Sequence, residues 1–212
     1  MRHRIRNFSR TTPSPRSAYP ALECGSSKNR MRLSVMTEIR TNIYLMGFMA
    51  SGKTRVGSLL ASRLGRPYLD TDELIVQKAG MGVPEIFDRL GESRFRQLEV
   101  EIIARVAALH AHVIALGGGA VLNPVNWERI ARTGVTVCLS YPPEIIDRRL
   151  AHKTDRPLVR EHTPGARLAR IRNLLSERES AYRRADLTLH LNRETDAENV
   201  ADAVAGYLGV FR

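Results

Sequence analysis

The segment GFMASGKT, residues 47–54, constrains this chain more than any other feature, because it matches the phosphate-binding pattern G-x-x-x-x-G-K-[ST]. In such a loop, backbone N–H groups cradle phosphate oxygens, a lysine reaches the β and γ phosphates, and a hydroxyl can ligate Mg²⁺. Lys53 and Thr54 are the candidates for the last two roles. A short apolar run, residues 42–46, precedes the loop, and an amphipathic stretch, residues 53–64, follows it. The residues predicted to bind nucleotide are Gly47, Ala50, Ser51, Gly52, Lys53 and Thr54.

Beyond residue 39, short aliphatic or β-branched runs alternate with longer amphipathic stretches. This alternation predicts an α/β protein with a parallel sheet between two layers of helices. Five strands are predicted, at residues 43–46, 68–69, 113–116, 135–139 and 187–191. Helices are predicted at residues 53–64, 72–79, 84–90, 92–109, 124–132, 143–152, 165–182 and 197–208. Neither an internal repeat nor a second core is evident, so residues 37–212 are predicted to form one domain.

The first 36 residues differ from the rest in composition, with eight Lys or Arg, one acid, and many Ser, Thr and Pro. We predict a disordered basic N-terminal extension, because these residues lack periodic apolar positions. Two interpretations stay open. The composition resembles an organelle transit peptide, which would place the protein in a plastid. Alternatively, Met31 or Met36 is the true start and the protein is cytoplasmic, which is the favoured expectation.

The formal net charge of +11 comes mostly from that extension, since residues 37–212 carry 25 basic and 21 acidic groups. A modest positive excess suits a pocket for anionic ligands better than a nucleic-acid surface. No apolar run approaches the roughly 20 residues that a membrane-spanning helix needs. We therefore expect neither nucleic acid nor membrane as a partner. Two cysteines, Cys24 and Cys138, are too few for a disulfide framework or a zinc site.

Functional residues are expected directly after the strands, because ligands of open α/β sheets bind outside the carboxyl ends of the strands. Asp70 and Asp72 follow the second predicted strand, and two carboxylates there can serve Mg²⁺ and the group that receives a phosphoryl. Asp72 could instead cap the following helix. Three glycines, residues 117–119, follow the third predicted strand and indicate close approach of the backbone to a ligand. A turn that needs positive φ angles is the alternative.

Taken in order, these motifs resemble the shikimate kinases, P-loop enzymes related to nucleoside monophosphate kinases. The resemblance runs from about residue 43 to residue 208 and rests on GFMASGKT, LDTD (69–72), FRQLE (95–99), LGGGAV (116–121), DRPL (155–158) and AYRRAD (181–186). It implies a P-loop kinase fold and ATP-dependent phosphorylation of the 3-hydroxyl of shikimate, with Mg²⁺ as cofactor. A small kinase of this class can work as a monomer, which is the expected state.

The resemblance also assigns roles to individual residues. Shikimate would be held by Asp72, Arg96, Arg183 and the backbone of Gly117, Gly118 and Gly119, with Arg184 as the alternative to its neighbour. Paired guanidinium N–H donors suit the substrate carboxylate, and a carboxylate suits a hydroxyl. Asp72 would accept the hydroxyl proton, Lys53 would stabilise the phosphoryl group, Thr54 would ligate Mg²⁺, and Asp70 would hold a metal-bound water.

Residues 152–164 form a polar segment between helices and resemble the lid of the family, with Arg156 as its catalytic residue. Arg149 would stack on adenine, with Arg148 as the alternative and Arg193 as a second nucleotide contact. Ala50 stands where many relatives have glycine, which the general motif permits. Two other functions are considered: another small-metabolite kinase, such as a gluconate kinase, and a nucleotide-sensing module without activity.

Overall fold

The computed structural model describes residues 21–24, 41–151 and 163–208. Within these ranges the chain forms six strands, namely β1 (Ala21–Cys24), β2 (Asn42–Met46), β3 (Tyr68–Asp70), β4 (Val113–Ala115), β5 (Gly134–Ser140) and β6 (Leu187–His190). The same ranges contain seven helices, namely α1 (Lys53–Leu64), α2 (Thr71–Ala79), α3 (Val83–Ala107), α4 (Pro124–Thr133), α5 (Pro143–Leu150), α6 (Pro164–Tyr182) and α7 (Ala197–Tyr207). A short 3₁₀ turn, Ala120–Leu122, follows β4.

The strands form one sheet in the order β1-β6-β5-β2-β4-β3. The five strands β2 to β6 are mutually parallel, which confirms the predicted five-stranded parallel sheet. All five residues of β2 are buried, as are the first six of β5. Strands that helices cover on both faces are mostly apolar, which is why these segments are largely apolar runs in the sequence, with Asn42 and Thr136 as buried polar exceptions. Because β2, β3 and β4 are parallel, their carboxyl ends lie at the same edge of the sheet.

The sixth strand, β1, pairs antiparallel with β6, with Ala21 opposite His190 and Cys24 opposite Leu187. The prediction that residues 1–36 lack regular structure is therefore wrong for these four residues. The sequence around them has no apolar run, and the pairing depends on an available edge of the sheet. The rest of the extension lies outside the described residues.

The helix boundaries follow local signals in the sequence. α1 ends at Gly65, whose φ of 60° lies in the left-handed region that glycine adopts readily. Two helices predicted at residues 84–90 and 92–109 are continuous as α3 but kinked at Gly91, where φ is 80° and ψ is 164°. α5 ends at Leu150, one residue before its C-cap Ala151, and residue 152 of the predicted helix lies outside the described residues.

Candidate active site

The loop between β2 and α1 has the backbone of a phosphate cradle. Gly47 has φ of 135°, and a Cβ at this position would lie 2.5 Å from the carbonyl oxygen of Leu139. Only glycine fits, because that oxygen belongs to the backbone of β5 and has no freedom to move away. Ala50 also adopts a left-handed conformation, with φ of 59°. The left-handed conformation of Ala50 is therefore slightly unfavourable in free energy, and the shape of the loop requires it.

The ammonium group of Lys53 lies over this loop. Its Nζ donates hydrogen bonds to the carbonyl oxygens of Gly47 at 2.9 Å and Phe48 at 2.8 Å, and lies 3.4 Å from Oγ of Ser51. Ser51 is itself buried. Gly52 precedes α1, so the amino end of that helix and the lysine both present positive charge to the loop. The residues predicted to bind nucleotide, 47 and 50–54, therefore lie together in the phosphate loop and at the start of α1.

Thr54 and Asp70 form the candidate metal site. Oδ2 of Asp70 accepts hydrogen bonds from Oγ1 of Thr54 at 2.9 Å and from the hydroxyl of Tyr68 at 3.3 Å. Burial, reinforced by the charge of Asp70, raises the pKa of Tyr68, which keeps this hydroxyl a neutral donor. Hydroxyl and carboxylate oxygens fit Mg²⁺, which takes one or two protein ligands and fills its other positions with phosphate oxygens and water. Among the residues that the structure describes, no cluster of three His, Cys, Asp or Glu offers a more complete cage.

The structure separates the roles of the two carboxylates after β3. Asp70 is the N-cap of α2, because its Oδ1 accepts a hydrogen bond from the backbone N–H of Asp72 at 2.9 Å. The capping role considered for Asp72 is therefore wrong. Asp72 lies in the first turn of α2, and its carboxylate points toward the glycine run after β4.

A cavity of about 250 Å³ extends from the phosphate loop to this glycine run. Its lining residues come from the ends of β2, β3 and β4 and from α1, α2, α3 and α6: Met49, Ala50, Gly52, Lys53, Thr54, Arg55, Asp70, Asp72, Val83, Phe87, Phe95, Arg96, Glu99, Leu116, Gly117, Gly118, Gly119 and Arg178. The loop residues and the charged side chains give the cavity a polar lining, to which Val83, Phe87 and Phe95 add apolar side chains. The cavity therefore joins a phosphate site to a second, acceptor site.

The glycine run is explained by close approach to the charged side chains of the acceptor site. A Cβ at Gly117 would lie 2.6 Å from Oδ1 of Asp72, and one at Gly119 would lie 2.6 Å from Nη1 of Arg96. Both distances are shorter than van der Waals contact. Larger residues would thus displace Asp72 or Arg96, and a turn conformation alone does not account for the run.

Arg96 is held by two glutamates of α3. Its Nη2 lies 2.9 Å from Oε1 of Glu92, and its Nη1 lies 3.1 Å from Oε2 of Glu99. The Glu99 side chain is 1% exposed, and burial raises the pKa of its carboxyl group, an effect that the neighbouring Arg96 charge opposes. Glu99 therefore fixes the Arg96 guanidinium at the cavity wall. Glu99 was not predicted as a site residue from the sequence.

The second arginine of the acceptor site is Arg178. It is 4% exposed, lines the cavity, and donates from Nη1 to the carbonyl oxygen of Gly118 at 3.3 Å. Its guanidinium also lies 5.3 Å from the ring centre of Phe48, in a cation–π contact that ties it to the phosphate loop.

The structure does not bring Arg183, the predicted partner of Arg96, into the cavity. The Arg183 side chain is 77% exposed and forms an ion pair with Glu179 at 2.6 Å. The residues of a helix are 100° apart around its axis, so Arg183, five positions after Arg178, faces a different direction. The assignment of Arg183 to the acceptor site is therefore wrong.

Arg184, the other alternative, has a structural contact. Its Nη2 donates to the carbonyl oxygen of Val121 at 2.6 Å, and its guanidinium lies 4.3 Å from the ring centre of Trp127. These contacts fasten the end of α6 to the turn that follows the glycine run. Arg184 therefore supports the acceptor site from outside the cavity.

Arg149 lies beside the phosphate loop and Arg148 is exposed. Arg149 donates from Nη1 to the carbonyl oxygen of Ala50 at 3.1 Å, pairs with Glu194 at 2.5 Å, and stacks 4.0 Å from the ring centre of Tyr141. Arg193, next to Glu194 in the loop after β6, is exposed. The predicted lid, residues 152–164, includes Arg156 and lies outside the described residues except for residues 163 and 164, where α6 begins.

The fold has a parallel sheet with a phosphate loop after a central strand, and two arginines and an aspartate line the cavity beside that loop. These features define a P-loop phosphotransferase with an anionic acceptor. The family model described as "Shikimate kinase" matches residues 49–208. A shikimate kinase of Caldanaerobacter subterraneus subsp. tengcongensis is 42% identical over 167 residues, covering 79% of this chain and 96% of that relative. The chain belongs to the shikimate kinase family.

Solved structures agree with this assignment. A shikimate kinase from Acinetobacter baumannii, solved in complex with shikimate, matches with a TM-score of 0.74 and 32% identity, over 85% of this chain and 97% of that one. A shikimate kinase from Bacteroides thetaiotaomicron matches with a TM-score of 0.73 and 31% identity, over 80% and 98% of the respective chains. In the part of this chain that the structure describes, no helix has the length and apolar character needed to cross a membrane.

Proposed function

We propose that this protein transfers the γ-phosphoryl group of ATP to the 3-hydroxyl of shikimate, giving shikimate 3-phosphate and ADP. This reaction belongs to the shikimate pathway of aromatic amino acid biosynthesis. The observation that carries the proposal is the single cavity in which the phosphate loop faces Asp72, Arg96 and Arg178. Membership in the shikimate kinase family supports the choice of substrate.

The acceptor site matches the chemistry of shikimate, which has one carboxylate and three ring hydroxyls. Arg96 and Arg178 bind the carboxylate, because guanidinium groups offer paired N–H donors in the plane that a carboxylate needs. The backbone of residues 117–119 lies beside both groups and contributes further contacts. Asp72, which lines the same cavity beside Gly117, binds a ring hydroxyl.

The phosphoryl transfer uses residues on both sides of this cavity. Asp72 orients the 3-hydroxyl and accepts its proton as the oxygen attacks the γ-phosphorus, and the bond from that phosphorus to the bridging oxygen of ADP breaks. Lys53 stabilises the negative charge on the transferring group. Arg156, from the segment outside the described residues, is proposed to add a second positive charge there.

Mg²⁺ is proposed as the cofactor, held by Thr54 directly and by Asp70 through a water molecule, and when bound it neutralises charge on the β and γ phosphates. Arg149 is proposed to stack on adenine, since it already contacts the loop through Ala50. Arg193 is proposed to contact the same nucleotide from the loop after β6. ATP is the co-substrate in this scheme.

The acceptor arginines distinguish this function from phosphorylation of a neutral sugar or polyol. If the substrate were neutral, the desolvation cost of burying Arg178 would not be offset by an interaction with the substrate. The positions of Asp72 and Arg96 also oppose a purely regulatory nucleotide-sensing role, because both side chains approach the glycine run after β4 and belong to no part of the phosphate loop.

A coupled assay of ADP release over a panel of acceptors tests the proposed function. The panel contains shikimate, quinate, gluconate and nucleoside monophosphates, each at the same concentration with saturating ATP and Mg²⁺. We expect shikimate to be the preferred acceptor by at least tenfold in kcat/KM. Turnover with gluconate or a nucleoside monophosphate above that with shikimate would refute the proposal.

We further propose that the protein acts as a cytoplasmic monomer. One copy of the chain supplies the phosphate loop, Asp72, Arg96 and Arg178 to the same cavity, which supports a monomer as the active unit. The similar shikimate kinases named above are bacterial. Sedimentation of the active protein at assay concentration, and the distribution of a reporter fused to residues 1–36, test these two points.

A further inference from the structure

The hydroxyl of Tyr182 connects α6 to the glycine run of the acceptor site, although Tyr182 does not line the cavity. Tyr182 is the last residue of α6 and is 9% exposed. Its hydroxyl donates a hydrogen bond of 2.7 Å to the carbonyl oxygen of Gly118, the same oxygen that accepts from Nη1 of Arg178 at 3.3 Å. Tyr182 and Arg178 are one helical turn apart, so both reach the glycine run from the same face of α6.

The Gly118 carbonyl controls the direction of the next amide group. The described chain contains no cis peptide bonds, so the N–H of Gly119 points opposite to the C=O of Gly118. With that C=O turned toward α6, the Gly119 N–H points away from Tyr182. Gly119 lines the cavity beside Arg96, where the substrate carboxylate is proposed to bind.

A second anchor holds the other end of the run. The backbone N–H of Gly117 donates to Oγ1 of Thr71 at 2.9 Å. Thr71 fixes the first glycine, and Tyr182 with Arg178 fixes the peptide between the second and the third. Glycines without such anchors would sample several backbone conformations, because no Cβ restricts them.

The protonation state of Tyr182 suits this role. Burial raises the pKa of its hydroxyl to about 12, although the nearby Arg178 charge acts in the opposite direction. The hydroxyl therefore stays protonated at neutral pH and serves as a permanent donor. Removing it takes away a donor to Gly118 and a neighbour of the Arg178 guanidinium.

We infer that Tyr182 is a positioning residue for the acceptor: it holds the Gly118–Gly119 peptide and Arg178 in the orientation that binds the substrate carboxylate. The inference rests on the proposed function for the identity of that substrate. Tyr182 acts through Gly118 and Arg178 and makes no contact with the reacting atoms.

Tyr182→Phe tests the inference, with Tyr44→Phe as the matched control. Tyr44 is also buried, and its hydroxyl bonds to Oγ1 of Thr133 at 2.7 Å, at the opposite edge of the sheet from the cavity. Each substitution removes one buried, hydrogen-bonded phenol oxygen, so both are expected to lower the melting temperature by similar amounts. Steady-state kinetics are measured well below both melting temperatures.

We expect Tyr182→Phe to raise the KM for shikimate about three- to tenfold, the scale of one lost hydrogen bond, with kcat and the KM for ATP within twofold of wild type. Tyr44→Phe is expected to change none of these constants by more than twofold. A shikimate KM within twofold of wild type in Tyr182→Phe overturns the inference. An equal rise in both variants, or a fall in kcat at constant KM, also overturns it.

A separate measurement distinguishes failure of this inference from failure of the proposed function. If the wild-type protein does not phosphorylate shikimate, the proposed function is wrong. The ¹⁵N–¹H resonance of the Gly119 amide tests the peptide orientation without turnover. We expect it to shift in Tyr182→Phe and to stay in place in Tyr44→Phe, and an unchanged resonance in both variants contradicts the positioning role.

Discussion

Replacing Arg178 by alanine should weaken the acceptor site selectively. Arg178 is 4% exposed, so a carboxylate bound to it is largely removed from water. Losing one partner of a buried charge pair costs about 2 to 5 kcal/mol. We expect the lower part of this range, about 2 to 3 kcal/mol, because Arg96 remains and is already oriented by Glu92 and Glu99. That free energy corresponds to a fall of about 30- to 160-fold in kcat/KM for shikimate.

The assay is steady-state ADP release, with shikimate varied at saturating ATP and then ATP varied at saturating shikimate. The KM for ATP should stay within about threefold of wild type, since the contact of Arg178 with the phosphate loop is a single cation–π contact to Phe48 at 5.3 Å. Thermal melting is measured in parallel, because the variant also loses the hydrogen bond to Gly118. Arg178→Lys retains the charge without the paired donors and should lie between wild type and the alanine variant.

Arg183→Ala is the matched control, five residues away at the C-cap of the same helix. Its side chain is 77% exposed and forms one i,i+4 ion pair with Glu179, an interaction worth about 0.3 to 0.5 kcal/mol. We expect less than a twofold change in either KM. If Arg183→Ala loses more kcat/KM for shikimate than Arg178→Ala does, our assignment of the second acceptor arginine is refuted.

Four further predictions address other parts of the molecule. Asp72→Asn should lower kcat about 100-fold or more with little change in the KM for ATP, the scale of general-base catalysis, and turnover within threefold of wild type would exclude that role. Gly119→Ala places a Cβ 2.6 Å from a guanidinium nitrogen of the acceptor site, so the KM for shikimate should rise about tenfold or more; an unchanged KM would contradict the close approach. Arg149→Ala should raise the KM for ATP about fivefold and leave that for shikimate unchanged, and the reverse pattern would remove Arg149 from the nucleotide site. A variant that begins at Met36 lacks β1 and should melt about 2 to 8 °C below one that begins at Ala21, at equal kcat; equal melting temperatures would show that β1 adds no stability.

The parallel sheet was predictable because its strands are buried on both faces. β2 and β5 are mostly apolar runs. The predicted bounds of β2 differ from the observed ones by one residue at the amino end, and those of β5 differ by one residue at each end. β1 was not predictable in this way, since the sequence ALEC has no periodic pattern and its pairing with β6 is a tertiary event. The kink at Gly91 was suggested by the glycine, although the predicted break became a bend within α3.

The candidate site was predictable where a motif fixes the backbone, as in the phosphate loop and the glycine run. Arg178 was missed, although a signal exists in the sequence: it falls on the apolar stripe of α6 formed by Ile171, Leu174 and Tyr182, where a charged residue requires a partner. Glu99 gives the same signal on α3, four residues after Phe95.

The division of roles between Asp70 and Asp72 could not be obtained from spacing, because either carboxylate could reach a helix N–H. The first residue of α2 decides which one caps the helix, and the Asp70 side chain is oriented by Thr54 from α1 and by Tyr68 from the same strand. Motifs thus predicted which region binds ligand, and packing determined which side chains in that region are available.

The two outer strands of the sheet have a consequence for solubility. β1 and β3, which end the sheet on either side in the described structure, have four and three residues. An outer strand leaves backbone N–H and C=O groups available to another chain, and a long, flat one promotes intermolecular strand pairing. Strands this short offer few consecutive backbone groups for such pairing. Removing β1 would make β6 the outer strand, and because β6 also has four residues, the protein that begins at Met36 should aggregate at about the same concentration as the protein that retains β1.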